Sequence, residues 1–361
     1  MRTASTEQLW DRLSAEGLVI GEKAPTAEGH SPWFVRVMLG FAGWVGAFFL
    51  FGFVAVSLRF ILENRTASLL AGAAACAAAA FIFRALRGKE FAVQFGLAVS
   101  FAGQGLFISG LTDIFREEIG LGCLAIMVFE AVLVAAVSNQ IHRVVSSCAS
   151  AISLSFALSA YDIPHLAPPL ITAGFAALWL KELNWADRGL LVRPVGYGFV
   201  VAAICVNGIL LMGEPLWSGV FEQSSPVFGR LSWWSGVILN SAVFIFTVSR
   251  LLRREGLGMN DRTTQVSLVA AVAIAISSFK APGITTGLII VLLGYANANR
   301  LLTGLGILGL IGYLSLYYYQ LETTLLVKSA VLAATGIVLL IARFVLSRVW
   351  PANGQGGDGY A

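Results

Sequence analysis

Apolar residues dominate this chain in long blocks, and the polar residues fall between the blocks or singly within them. From Trp33 onward the blocks predict helices near 36–58, 67–84, 91–111, 119–138, 144–161, 166–181, 193–212, 231–250, 264–279, 282–298, 300–318 and 323–346. Apolar residues cover every side of most of these segments, rather than one face of an amphipathic helix. A bilayer core requires about 20 such residues per helical crossing. The pattern therefore predicts an all-α, polytopic membrane protein with about twelve transmembrane helices. Short connections predict antiparallel neighbours, and the longest loops fall at 182–192, 213–230 and 251–263.

The two ends differ from the middle. Residues 1–32 form a polar head without the apolar core and small-residue cleavage site of a secretory signal. In the head, Ser5 and Gln8 have capping-box spacing, Leu9, Trp10 and Leu13 make an apolar edge, and Gly17 can stop the helix. The organisation read from the sequence is a cytoplasmic head over 1–32 with a short amphipathic helix, a membrane domain over 33–347 and a flexible tail over 348–361.

Composition supports the membrane reading and excludes others. Of 361 residues, 57% are hydrophobic and 12% are charged, against about 25% charged in soluble domains. The net charge of +4 is spread over short loops, which excludes a nucleic-acid-binding surface. Placing the basic residues on the predicted loops puts eighteen on the amino-terminal side and five on the other, with Lys328 inside a helix. The positive-inside rule then places both termini in the cytoplasm. His30, His142 and His165 show no metal-ligand spacing, and the four cysteines lie in apolar runs as small hydrophobes. No cofactor, metal site or catalytic motif is expected, so nothing points to an enzyme.

Interior polarity narrows the candidate sites. Gly72, Cys76 and Ala80, like Gly96, Ser100 and Gln104, repeat every four residues, and Gly306, Gly309 and Gly312 every three. Such spacings suit close helix packing, and Asn207 and Asn240 suit interhelical hydrogen bonds. Glu130 lies about 16 Å into its helix, near the midplane. A carboxylate there is costly unless paired, protonated or facing a polar cavity. Gln104 sits on the preceding helix, about 10 Å from its end. Lys328 stands one turn inside the last helix, where it can snorkel to the interface. Beside it lies a corner of Tyr317, Tyr318, Tyr319 and Glu322, placed where aromatic rings favour the membrane–water boundary.

Several stretches resemble a known bacterial membrane family. They include Gly294-Tyr295-Ala296-Asn297-Ala298-Asn299-Arg300, Gly304-Leu305-Gly306-Ile307-Leu308, the three tyrosines, Lys328-Ser329 and Arg343. Earlier pieces are Gln94, Ala102-Gly103-Gln104, Gly110-Leu111, Asn139 with Arg143, and Arg193-Pro194-Val195-Gly196-Tyr197-Gly198. Together they resemble the domain-of-unknown-function 4401 family over about residues 35–347, and the head is similar to the related family 2157. The resemblance implies a multi-pass protein of the bacterial cytoplasmic (inner) membrane with no established activity. It also implies a partner, a small membrane-anchored protein with a Gly-Asp-Tyr signature, alongside the lipid bilayer. Two functions follow as expectations: the multi-pass component of an envelope complex, or a secondary transporter with a polar midplane site near Glu130.

Overall fold

The computed structural model describes residues 64–86, 90–212, 226–258, 260–279 and 281–320, with scattered positions elsewhere. Ten α-helices and no strand occur among the described residues. They are α1 (Arg65–Ala85), α2 (Glu90–Ile114), α3 (Ile119–Ala136), α4 (Gln140–Ala160), α5 (Ala167–Leu180), α6 (Gly189–Met212), α7 (Pro226–Arg254), α8 (Arg262–Ser277), α9 (Gly283–Ala296) and α10 (Arg300–Gln320). The predicted helices at 36–58 and 323–346 lie outside the described residues. In the head, residues 13–15 are helical and Gly17 adopts a φ of +70°, the left-handed conformation that ends a helix.

Seven of the ten, α1 to α4, α6, α7 and α10, are long and apolar enough to cross a bilayer. Their outer faces carry large apolar side chains such as Leu70, Phe81, Val132 and Leu308. In a water-soluble bundle those side chains would face water. Here they suit lipid, and the protein is an integral membrane protein.

Two packed regions share α4. In the first, α1 lies along α2, and α3 along α4. Close approach of α1 and α2 needs glycine: a Cβ on Gly72 would lie 2.6 Å from the Phe107 nitrogen and 2.7 Å from the Gly103 carbonyl. Phe83, Leu97 and Val137 fill that region's core. In the second, α5 to α10 surround a larger core built from Phe175, Trp179, Phe244, Ile289 and Leu293, and α4 joins it by packing along α6.

Basic side chains gather at one end of the bundle. Arg143 donates to the Val134 and Leu190 carbonyls at 3.1 and 2.8 Å, and Arg84 to the Ala136 carbonyl at 3.5 Å. Both cations thereby neutralise the last, unpaired carbonyls of α3. Arg193 pairs with Glu182 at 2.7 Å, and Arg254 donates to Asn297, which donates to the Trp179 carbonyl.

Four sequence expectations change. α4 begins at Gln140 rather than 144, because the Asn139 side chain accepts from the His142 amide at 3.0 Å and caps the helix. Asn240 bridges α7 to α9 as expected, but Asn207 bonds within its own helix, to the Ala203 carbonyl at 2.8 Å. In the α10 seam, Gly306 and Gly309 meet α9 and α6, whereas no described residue lies within 4 Å of a Cβ built on Gly312. All four cysteines are free, and Cys205 is exposed on α6 rather than buried.

Candidate functional site

The four-residue repeat of α2 places Ser100 and Gln104 on one helical face, and the earlier start of α4 does the same for His142 and Ser146. The two faces meet. His142 Nε2 lies 2.8 Å from the Ser100 hydroxyl and 3.0 Å from Gln104 Nε2. The Gln104 amide also donates to the Ser146 hydroxyl at 3.2 Å. All four side chains are buried.

Glu130, on α3, is completely buried. Ser146 and the Cys76 thiol on α1 are its polar neighbours. Among the described residues, neither carboxyl oxygen has a hydrogen-bond partner within bonding geometry. Ser146 already accepts from Gln104, so its own hydroxyl proton is available to Glu130 after a small rotation.

His142 shows the same incompleteness on its other side. Its ring stacks on Phe101, with centroids 5.9 Å apart, and meets the edge of Phe83 at 6.2 Å. Nδ1 has no partner among the described residues. A Gln104 amide hydrogen directed at Nε2 makes that nitrogen an acceptor and leaves the proton on Nδ1. Phe107 and Phe129, stacked at 4.0 Å between α2 and α3, add a second apolar wall.

The arrangement can hold a proton. It combines one carboxyl, one imidazole, two hydroxyls and one amide in a buried cluster, and among the described residues the two titratable groups each keep an unfilled hydrogen-bonding position. Among the described residues no three His, Cys, Asp or Glu side chains group as metal ligands.

The structure thus unites Glu130 and Gln104 and adds His142, Ser100 and Ser146. Sequence spacing alone left His142 in a loop, because Asn139-Gln140-Ile141-His142-Arg143 reads as polar. The signal was Asn139 itself, an N-cap residue three positions before His142. The tyrosine corner belongs elsewhere: Tyr317, Tyr318 and Tyr319 end α10, which packs on α6 and α9. Lys328 and Glu322 lie outside the described residues.

The stretches that carried the resemblance meet in the fold. Tyr197 on α6 donates to Asn299 Oδ1 at 3.1 Å and packs on Trp179, and Asn299 also accepts from the Leu302 amide at 3.1 Å, capping α10. Ala298, with φ of 49°, turns the chain between α9 and α10. The family model described as "Domain of unknown function (DUF4401)" matches residues 32–349. The chain belongs to the DUF4401 family. No curated protein and no solved structure matches it.

Proposed function

We propose that this DUF4401 protein is a proton-coupled secondary transporter in which Glu130 takes up and releases the coupling proton. The observation that supports this reading is the fully buried Glu130 carboxyl, whose two oxygens lack partners among the described residues. A carboxyl near the midplane persists as the neutral acid or requires a counter-charge to arrive. Either way, its charge state is tied to movement of the helices around it. Gln104 donates to both Ser146 and His142, which fixes these polar side chains of α4 beside the carboxyl. The distribution of basic residues argues for cytoplasmic termini, and the resemblance for the bacterial inner membrane.

The test is proton movement in proteoliposomes containing an internal pH dye, driven by an imposed potential. The wild type is expected to acidify the lumen above the rate of empty vesicles, and Glu130→Gln to lose at least about tenfold. Glu130→Gln keeps shape but cannot exchange a proton. Wild-type flux equal to that of empty vesicles, or undiminished flux in the variant, rejects the proposal.

A second role as the multi-pass component of an envelope complex draws support from the α10 terminus, where Tyr319 is 80% exposed beside Tyr318. Lys328→Leu suits the bilayer at least as well as lysine. It is expected to leave abundance intact while reducing co-purification of the small Gly-Asp-Tyr protein. Recovery at the wild-type level would remove Lys328 from any such interface.

A further inference from the structure

α6 holds a proline in its second turn. Pro194 lies inside Gly189–Met212, and the N–H it lacks is the one that would bond the Leu190 carbonyl, four residues earlier. A donor from another helix stands in its place. Arg143 Nη1, on α4, lies 2.8 Å from the Leu190 oxygen.

The same guanidinium reaches a third helix. Its Nε lies 3.1 Å from the Val134 carbonyl in the last turn of α3. There the Val137 N–H bonds back to Leu133 and the helix ends, so the Val134 carbonyl is one of the last four left without an N–H from their own helix. A guanidinium presents its donors in a rigid planar fork. The two bonds therefore hold the end of α3 and the start of α6 against each other.

Both ends of this bridge lie beside a packed region. Val134 follows Glu130 by four residues, on the same face of α3 and one turn nearer its end. Arg143 directly follows His142. On α6, the turn after Pro194 joins the larger core. A Cβ on Gly196 would lie 2.9 Å from the Trp179 ring nitrogen, and Tyr197 donates to Asn299 before α10. Gly198 then lets α6 close on α4, since a Cβ there would lie 2.5 Å from the Val144 carbonyl.

We infer that Arg143 is the joint through which movement of the Glu130 region reaches α6 and the core around it. Pro194 prepares the joint, because an N–H at that position would already serve the Leu190 carbonyl. The use of the joint in transport rests on the reading of Glu130 as the proton carrier; the bridge itself does not.

The experiment uses the full chain in lipid nanodiscs, with backbone hydrogen exchange read by mass spectrometry over 130–137 and 189–197. Arg143→Met keeps an unbranched side chain and loses every donor. It is expected to speed exchange in both segments about three- to tenfold, the worth of one hydrogen bond. Pro194→Ala returns an N–H to the Leu190 carbonyl. Added to Arg143→Met, it is expected to restore the wild-type rate over 189–197 and to leave 130–137 fast. A general loosening of the fold would show no such one-sided rescue. Glu130→Ala loosens α3 whatever the charge of the carboxyl. It is expected to speed exchange over 189–197 when Arg143 is present, and to add nothing there in Arg143→Met. If Arg143→Met fails to fold, Arg143→Lys, which lacks the planar fork, takes its place with the same expected pattern. Faster exchange in one segment alone, rescue of both segments or neither by Pro194→Ala, or an α6 that ignores Glu130→Ala overturns the inference. Proton flux equal to that of empty vesicles rejects the transport reading and leaves the joint standing, so the two fail separately.

Discussion

The buried polar groups of α2 to α4 and those of α7 and α9 meet opposite packing conditions. Around Glu130 the helices are pressed together, with Gly72 bringing the α1 backbone against α2 and aromatic rings sealing His142. Around Asn240 two short helices begin late and leave a hollow. The first region therefore buries its titratable groups, where a change of charge is tied to movement of the helices around them. The second sets His165, Asn207, Asn240 and Tyr313 around a hollow. Packing density, more than the polar residues themselves, separates the two chemistries.

The largest expected effect tests the tightness of the first region. Gly72→Leu should cost more than about 3 kcal/mol, because the new side chain meets backbone atoms that cannot give way. Gly309→Leu should cost less, about 1–3 kcal/mol, since a Cβ there meets the Ile204 side chain at 3.0 Å, and side chains can turn aside. Thermal melts of the purified variants rank the two, and a Gly309 loss equal to that of Gly72 would erase the contrast.

Next come the polar groups. Gln104→Leu strips His142 and Ser146 of a shared donor and should cost about 1–3 kcal/mol. Asn240→Ala removes the donor that ties α7 to α9 and should cost a similar amount. Asn207→Leu, whose amide among the described residues bonds only within its own helix, should stay below about 1 kcal/mol. Chemical denaturation in matched detergent gives the order; an Asn207 loss as large as that of Asn240 would mean the hollow is held open by both.

The smallest expected effect concerns pH. Burial pushes the His165 imidazole, in the turn between α4 and α5, below its ordinary value of 6.5. Its folded value lies under its unfolded one, so the unfolded chain binds the extra proton first. Its contribution is intact above about pH 6.5 and is lost as pH falls toward the folded value. His165→Asn should therefore lose less stability than the wild type between pH 7.5 and pH 5. Parallel melting curves in the two proteins would show that His165 contributes nothing to that dependence.

Hydrophobic blocks longer than a bilayer crossing announced a helical membrane protein, because lipid tolerates no unpaired backbone and every side of a helix must be apolar. Glu130 stood out for the same reason: a lone carboxyl in an apolar run is costly wherever its helix packs. Its partners were not legible. Ser100, His142 and Ser146 are ordinary residues until two helices turn the right faces together, and the face α4 presents depends on where Asn139 starts it. The hollow beside Asn240 was equally hidden. It arises from the space left where α5 and α9 start late, and an empty volume between helices leaves no mark on the order of residues along any one of them.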